Sequence, residues 1–260
     1  MDNWPIMAML ESPSHLEPRR YEFVAARTGL ANHPPEGMIF HLTAMAPSGF
    51  IGASVWRDRR FADRWLAGPL GEALAAHTHQ FGSDPDSSYM MTPVFSFFAT
   101  DNAEARFGAQ IGEAAGLVAF SFSGTVMNAV AYREAVELMK FAEHPPRGLI
   151  AHVATASDQS WRMFDIWEDD AAAVNHYDEV RRVFANADGF GDREAIRRQR
   201  VTRLDLHTLI VSPSQLDLMK RFDAPDDSWR RLLDGRPDEA PTYDDNADDD
   251  ITSLQHLLRR

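Results

Sequence analysis

The chain contains no cysteine in its 260 residues, and this absence excludes a wide range of chemistry. Disulfides, thiolate nucleophiles, zinc–thiolate sites and iron–sulfur clusters all require cysteine. Reactivity must therefore come from His, Asp, Glu or Trp side chains, or from a cofactor. We expect no bound metal ion.

Long hydrophobic runs and clustered positive charge are also missing. No stretch approaches the roughly 18 consecutive apolar residues that span a bilayer, and no basic segment precedes an apolar one at the N-terminus. The chain has 26 Lys and Arg residues against 39 Asp and Glu, a formal charge of −13. Because binding phosphates requires clustered cations, we expect neither nucleic acid nor membrane as a partner, and a cytoplasmic location.

Several common catalytic motifs are absent as well. The sequence has no His-Glu-x-x-His, Walker loop, dinucleotide glycine fingerprint or Gly-x-Ser-x-Gly elbow. A self-contained ATPase, dehydrogenase or serine hydrolase is therefore disfavoured. With 44% hydrophobic residues, the chain is nevertheless able to bury one large core or two modest ones.

The most informative feature that is present is an internal repeat. Residues 33–41 (HPPEGMIFH) recur as residues 144–152 (HPPRGLIAH), without a gap. The same shift of 111 positions superposes five further pairs: Tyr21 on Tyr132, Ala31 on Ala142, Trp56 on Trp167, Asp58 on Asp169 and Ala62 on Ala173. A period this long is too large for a solenoid repeat, so it indicates two copies of one domain-sized unit.

Hydrophobic periodicity predicts the same elements in each copy. Alternating apolar residues indicate strands, and apolar residues three or four apart indicate helices. The predicted order of strand, helix, strand, strand, helix, strand is that of a ferredoxin-like βαββαβ unit. In the second copy these elements are 117–123, 132–142, 148–154, 161–167, 169–186 and 203–211, and in the first they are 6–10, 19–29, 37–44, 50–56, 60–77 and 94–100.

We therefore predict an α+β fold with two tandem ferredoxin-like repeats, 1–105 and 106–212. Residues 213–260 follow as a tail, with an acidic linker and a terminal helix that carries one apolar stripe. An Ala-rich helix over 101–116 is expected to join the repeats.

Residues at the end of one predicted strand resemble a known family. Trp167 is followed by Asp169, Ala172 and His176 on the next helix. This pattern resembles the antibiotic-biosynthesis-monooxygenase family, in which two ferredoxin-like domains form a dimeric α+β barrel with a pocket between sheet and helices in each half. The resemblance covers residues 4–211 and implies that one chain forms this barrel by itself.

The two predicted pockets are not equivalent. In the first copy, Trp56 keeps the place of Trp167, but Trp65 stands where the second copy has His176. The second copy is therefore the expected working pocket.

His152 and Asp165 are the principal candidate catalytic residues, with His176 as a hydrogen-bonding partner. His41 and His152 lie at equivalent positions of a predicted strand, where histidine is a hydrogen-bonded core residue, a pocket acid or base, or a metal or haem ligand. Asp165 lies on an apolar strand, and a buried carboxylate is costly unless it is paired. His152 is the expected partner, whereas the counterpart of Asp165 in the first copy is the uncharged Ser54.

Four tryptophans and one histidine are the candidate substrate-binding residues. Their flat apolar faces suit a planar aromatic ligand, and the alternative interpretation is core packing. They are Trp56, Trp65, Trp161, Trp167 and His41. His77, His79 and His207 are predicted to face solvent.

The leading functional hypothesis is an oxygenase, a monooxygenase by family resemblance, that acts on a polycyclic aromatic phenol or quinol. His152, oriented by Asp165, would form the phenolate, which donates an electron to dioxygen. Tandem proteins of similar size in this family include ring-opening oxygenases of angucycline pathways. That resemblance implies aromatic polyketide tailoring and antibiotic biosynthesis, with either no tightly bound cofactor or reduced flavin (FADH2 or FMNH2) from a separate flavin reductase.

Three alternatives remain open at this point. The same pocket would serve a cofactor-free isomerase, cyclase or lyase on a similar substrate. A haem- or small-ligand-binding protein without catalysis is the second alternative, and a duplicate whose pockets are filled by its own side chains is the third. The protein is expected to be a monomer or a homodimer.

Overall fold

The computed structural model describes most of the two predicted repeats. The described residues are 4–12, 18–30, 32–82, 88–100, 116–124, 132–133, 136–141, 143–156, 161–186, 200–216, 221–225 and 228. The predicted linker helix, apart from its last residue, and the acidic linker and terminal helix of the tail lie outside these residues.

The described residues form nine strands and five α-helices with defined bounds, and residues 132–133 and 136–139 are also helical. The strands are β1 (Ile6–Ser12), β2 (Met38–Ala46), β3 (Gly49–Trp56), β4 (Ser88–Ala99), β5 (Val118–Gly124), β6 (Leu149–Ala156), β7 (Trp161–Trp167), β8 (Arg200–Val211) and β9 (Arg221–Asp223). The helices are α1 (Pro18–Thr28), α2 (Arg59–Trp65), α3 (Gly71–Phe81), α4 (Asp170–Asn186) and α5 (Pro213–Leu216), and a π-helical segment, Leu66–Leu70, joins α2 to α3. The predicted strand positions agree with β1 to β8 to within a few residues, apart from the ends of β4 and β8.

Aspartates begin two of the helices. The Asp58 side chain accepts a hydrogen bond from the backbone N–H of Arg60 at 2.9 Å, and the Asp169 side chain accepts one from that of Ala172 at 2.8 Å. Each carboxylate satisfies a backbone donor that the first helical turn leaves unpaired. None of the described helices is long and apolar enough to cross a membrane.

Eight antiparallel strands close into one barrel, in the order β1-β3-β2-β8-β5-β7-β6-β4 and back to β1, with β9 added beside β4. Two long strands join the two halves of the barrel, because each of them pairs with one strand from each predicted repeat. β4 pairs with β1 over Ser88–Pro93 and with β6 over Val94–Ala99. β8 pairs with β5 over its first residues and with β2 over its last.

The predicted fold class was therefore wrong. The expectation was two ferredoxin-like βαββαβ α+β repeats, each with its own sheet, packed as a dimeric barrel with a helical tail. The structure is a single closed antiparallel barrel, and the described residues are mostly sheet with few helices. Periodicity identified the strands correctly, but it did not reveal that β4 and β8 change partners along their length.

The interior of the barrel is filled by a hydrophobic core to which all eight barrel strands contribute. Its members include Met9 of β1, Leu42 of β2, Val153 of β6 and Phe164 of β7. Because side chains alternate between the faces of a strand, the neighbours of these residues point outward. The outward face carries the strand histidines and tryptophans singled out above, namely His41, His152, Trp56, Trp161 and Trp167.

The repeated His-Pro-Pro-x-Gly segment has a structural explanation at its glycine. Gly148 has a φ of +82°, and a Cβ placed there would lie 2.5 Å from the Cβ of Ala172 on α4. Only glycine accommodates both the left-handed backbone and this close approach of the chain to the helix.

We expect Gly148→Ala to lower the free energy of unfolding by about 2–4 kcal/mol, because left-handed strain and overpacking both contribute. Gly29→Ala is the matched control, since Gly29 also has a positive φ, +67°, but open space around the added Cβ. It should cost only about 1 kcal/mol. Urea denaturation measures both, and equal losses in the two variants would contradict the explanation.

Candidate active site

His152 and Asp165 face each other on adjacent strands. They are directly opposite in the antiparallel β6–β7 pair, and both point outward because their neighbours Val153 and Phe164 belong to the barrel interior. The Nδ1 atom of His152 lies 2.6 Å from Oδ1 of Asp165. Only 3% of His152 and 5% of Asp165 are exposed. The structure thus brings together the pair that the sequence analysis proposed.

Tyr177 and Trp167 complete the hydrogen bonding of the carboxylate. The Tyr177 hydroxyl, on α4, donates to Oδ2 of Asp165 at 2.8 Å, and Nε1 of Trp167 donates to the Tyr177 hydroxyl at 3.3 Å. Burial raises the pKa of Tyr177 well above its usual range, which keeps its hydroxyl protonated as a donor. Both oxygens of the buried Asp165 therefore have partners, as a buried charge requires.

Tyr132 is hydrogen-bonded to the other ring nitrogen of His152. Its hydroxyl lies 2.6 Å from Nε2, and its ring is nearly parallel to the imidazole, with centroids 5.5 Å apart. Burial of the hydroxyl raises the pKa of Tyr132, so the phenol remains protonated and donates to Nε2. Nδ1–H then donates to Asp165. A continuous chain of hydrogen bonds runs from the buried Tyr132 hydroxyl through His152 to the Asp165 carboxylate.

His176 lies beside this chain but does not join it through a described hydrogen bond. It is buried on α4, with its ring centroid 5.2 Å from that of Trp167. Phe141 packs against both histidines, with centroids 5.1 Å from His176 and 6.4 Å from His152. Burial lowers the pKa of His176, which favours the neutral imidazole.

The predicted tryptophans pack into the protein rather than lining an open slot. Trp161 and Trp167 are 1% and 0% exposed, and the Trp161 ring lies 4.5 Å from that of Tyr132. The Nε1 atom of Trp161 has no hydrogen-bond partner in the described part of the chain. In the first half, Trp56 is equally buried and packs against Trp65, with centroids 6.4 Å apart.

In the first half of the chain, His41 has the same kind of hydrogen-bond partners as His152, but no carboxylate is among them. Nδ1 of His41 lies 2.7 Å from the Ser54 hydroxyl, and Nε2 lies 3.1 Å from the Tyr21 hydroxyl. The Tyr21 and His41 rings are stacked, with centroids 5.7 Å apart. The two histidine sites thus differ chiefly in the second partner, a hydroxyl in one and a carboxylate in the other.

Burial of the His41 imidazole predicts that the fold loses stability in acid. Burial lowers the pKa of His41 from 6.5 to about 4. The unfolded chain therefore binds a proton over this range that the folded chain excludes, so stability is complete above pH 6.5 and falls as the pH drops towards 4. The loss attributable to His41 should reach about 3 kcal/mol.

Urea denaturation of the wild type and of His41→Gln between these pH values measures that contribution. The glutamine can keep a hydrogen bond to Ser54 but cannot titrate, so its stability should fall less steeply with acid. Parallel pH profiles for the two proteins would assign the sensitivity to other groups.

Tyr132 and Tyr177 are the site residues that the sequence analysis missed. The repeat contained a signal for the first, because Tyr21 and Tyr132 superpose under the same shift as the two histidines. Tyr177 had no such signal, since its counterpart in the first half is Leu66.

Some residues predicted to face solvent do not. His77 is 9% exposed, and its ring centroid lies 5.0 Å from that of Phe81, so that prediction was wrong. His207 is partly buried, with Nε2 3.7 Å from a carboxylate oxygen of Glu22. His77 packs against an aromatic ring and His207 lies near a carboxylate. The hydrophobic periodicity of the helix and of the strand does not indicate these contacts.

No group of three or more His, Asp or Glu side chains that could hold a metal ion occurs among the described residues. Both ring nitrogens of His152 are already hydrogen-bonded. Coordination of haem iron by His152 would therefore require breaking one of these contacts.

Comparison with known proteins finds solved structures with a similar fold. No protein-family model matches the chain, and no curated protein matches it significantly. A candidate monooxygenase from Lactobacillus acidophilus has a similar structure, with a TM-score of 0.58 and 16% identity over 80% of this chain and 96% of its own. A second, from Fusobacterium nucleatum, gives a TM-score of 0.56 and 10% identity over 82% and 96%. At such identities the similarity establishes a common fold alone.

Proposed function

We propose that the protein is an oxygenase acting on a polycyclic aromatic phenol or quinol, and that the half containing His152 carries out the reaction. The observation that supports this most directly is the hydrogen-bonded chain from Tyr132 through His152 to Asp165. It connects the hydroxyl of Tyr132, a residue that keeps some exposed surface, to a buried base that is held in one orientation. The fold it shares with two candidate monooxygenases is compatible with the proposal.

The chain of hydrogen bonds would remove a proton from the substrate. The substrate hydroxyl gives its proton to the Tyr132 oxygen while Tyr132 passes its own proton to Nε2 of His152. Asp165 stabilises the resulting imidazolium and keeps its orientation. The substrate is left as a phenolate, which is a far better electron donor than the phenol.

Oxygenation then draws its electrons from the substrate. For a substrate that loses two hydrogens, one atom of dioxygen enters the product and the other leaves as water, so the reaction balances without a bound cofactor. A substrate that retains those hydrogens needs two electrons from outside, and reduced flavin delivered by a separate reductase is the proposed source. The assay described below distinguishes these two cases.

The surroundings of His152 favour an aromatic substrate. Phe98 stacks on the imidazole with centroids 5.1 Å apart, and Phe141 and Trp161 enclose the same region. Such surfaces bind planar rings through dispersion and edge-to-face contacts. The indole N–H of Trp161, which lacks an acceptor among the described residues, is the proposed donor to a developing oxyanion.

On this proposal the residues 1–105 and 106–212 are two copies of one unit, of which only the second retains the charged dyad. Ser54 in place of Asp165 and Trp65 in place of His176 support a structural role for the first copy. Aromatic polyketide tailoring is the proposed biological setting.

The proposed function is tested by oxygen consumption with a panel of hydroxylated naphthalenes and anthracenes, with and without reduced flavin. We expect at least one substrate to consume dioxygen stoichiometrically and to incorporate one labelled atom from ¹⁸O₂. Product formation at full rate under strict anaerobiosis would overturn the proposal and favour a proton-transfer isomerase, cyclase or lyase. Turnover only with reduced flavin would identify flavin as the electron source.

Tyr132→Phe is expected to lower kcat by about two orders of magnitude or more, because it removes the hydroxyl that relays the proton. Tyr21→Phe, the same change at the uncharged site, should leave kcat within about twofold of the wild type. Steady-state kinetics with the best substrate measures both. Full activity in Tyr132→Phe would exclude the relay and mean that substrate reaches His152 directly.

A further inference from the structure

A second candidate site lies at one open end of the barrel, on the opposite face of the sheet from His152. A cavity of about 270 Å³ is found there. Arg162 points into it, because it alternates along β7 with the outward-facing Trp161 and Met163 and shares its face with Phe164 of the interior core. The polar side chains that line the cavity include Glu11, Ser121, Ser123, Arg162, Arg200 and Thr202.

The guanidinium group of Arg162 forms one wall of this cavity and is held in place by its neighbours. Arg162 forms an ion pair with Glu11 of β1, which lies elsewhere around the barrel, and its Nη1 atom also lies 2.9 Å from the Met9 sulfur. The Arg162 side chain is 23% exposed and that of Glu11 is 34% exposed. The guanidinium is thus held in one position while part of its surface faces the cavity.

Arg200 supplies a second positive charge to the cavity. It is exposed at the start of β8, and no carboxylate among the described residues pairs with it. Among the described lining residues, Arg162, Arg200 and Glu11 together carry a net charge of +1, although the whole chain carries −13. Hydroxyl groups of Ser121 and Ser123 add hydrogen-bond donors around it.

An apolar side chain also faces the cavity, beside Glu11 on the neighbouring strand. Ile51 also lines the cavity, at the position that corresponds to Arg162 under the shift of 111 residues. The first half thus contributes a hydrophobic surface where the second contributes a cation. A ligand that matches both walls has one negative group and one apolar body.

We propose that this end of the barrel binds a small organic monocarboxylate, with its carboxylate at Arg162 and Arg200 and its apolar body against Ile51. A carboxylate suits the single net positive charge, and the forked guanidinium can bind its two oxygens together. A dianion such as phosphate fits less well, because the Glu11 carboxylate lies in the same cavity. The site is separate from His152 and does not depend on the proposed oxygenase activity.

Isothermal titration of the full chain with benzoate tests this site. We expect saturable 1:1 binding that Arg200→Gln weakens at least tenfold. Arg59→Gln is the matched control, since Arg59 is an exposed arginine of α2 paired with Asp63, away from the barrel end. It should bind benzoate as the wild type does.

A second variant tests whether benzoate binds inside this cavity. Ser123→Glu places a carboxylate at the cavity wall and should abolish benzoate binding while the circular dichroism spectrum stays native. Three results would overturn the proposal: no saturable binding by the wild type, unchanged binding in Arg200→Gln, or inorganic phosphate binding more tightly than benzoate. Because the measurement is binding rather than turnover, its failure leaves the oxygen-uptake test unaffected.

Discussion

His152→Ala is expected to lower the free energy of unfolding by about 3–5 kcal/mol, because it leaves the buried Asp165 carboxylate without its closest partner. His152 is hydrogen-bonded to this carboxylate at 2.6 Å. The remaining contact, from Tyr177 at 2.8 Å, satisfies only the other oxygen. Leaving a buried charge without so close a partner is costly.

The chain provides its own control for this experiment. His41→Ala removes the equivalent imidazole, but its partners Ser54 and Tyr21 are uncharged. The expected loss is about 1–3 kcal/mol, the cost of leaving neutral buried groups unsatisfied. Both variants are measured by urea denaturation at pH 7.5. A loss for His152→Ala no larger than that for His41→Ala would mean that Asp165 is protonated or reached by water.

Asp165→Asn is expected to reduce kcat by about three to four orders of magnitude with little change in shape. An amide can donate to Nδ1 of His152, which moves the ring proton to Nε2. That nitrogen then points an N–H at Tyr132 and no longer accepts its proton. The base would be present but in the wrong tautomer.

The measurement is kcat at saturating substrate, with the oxygen-consumption assay and a denaturation profile on the same preparation. Ser54→Ala is the control, because Ser54 holds the same place in the first half. It should retain nearly full activity. Wild-type activity in Asp165→Asn, with native stability, would remove His152 as the base and with it the proposed proton path.

Much of the candidate site could be predicted from the sequence, because it depends on pairing within one hairpin. Only four residues separate strands β6 and β7 in the sequence, so His152 and Asp165 had few registers available. The cost of burying an unpaired carboxylate then favoured the register that places them opposite each other. The structure has that register.

Other members of the site come from segments outside the β6–β7 hairpin. Tyr132 lies 20 residues before His152, and Tyr177 lies 12 residues after Asp165. Whether these hydroxyls reach the dyad depends on how their segments lie on the sheet. Composition and periodicity indicate that such segments have an apolar face, but not which of its atoms touches a particular strand.

The sequence by itself determined the positions of the strands, the asymmetry between the His41 and His152 sites, and the absence of thiol chemistry. These properties follow from residue identity and local periodicity. Only the tertiary structure decided that β4 and β8 pair on both sides and close the barrel, and that the tryptophans are enclosed. Strand closure depends on hydrogen bonds between distant segments, and any long strand offers the same backbone donors and acceptors to several partners.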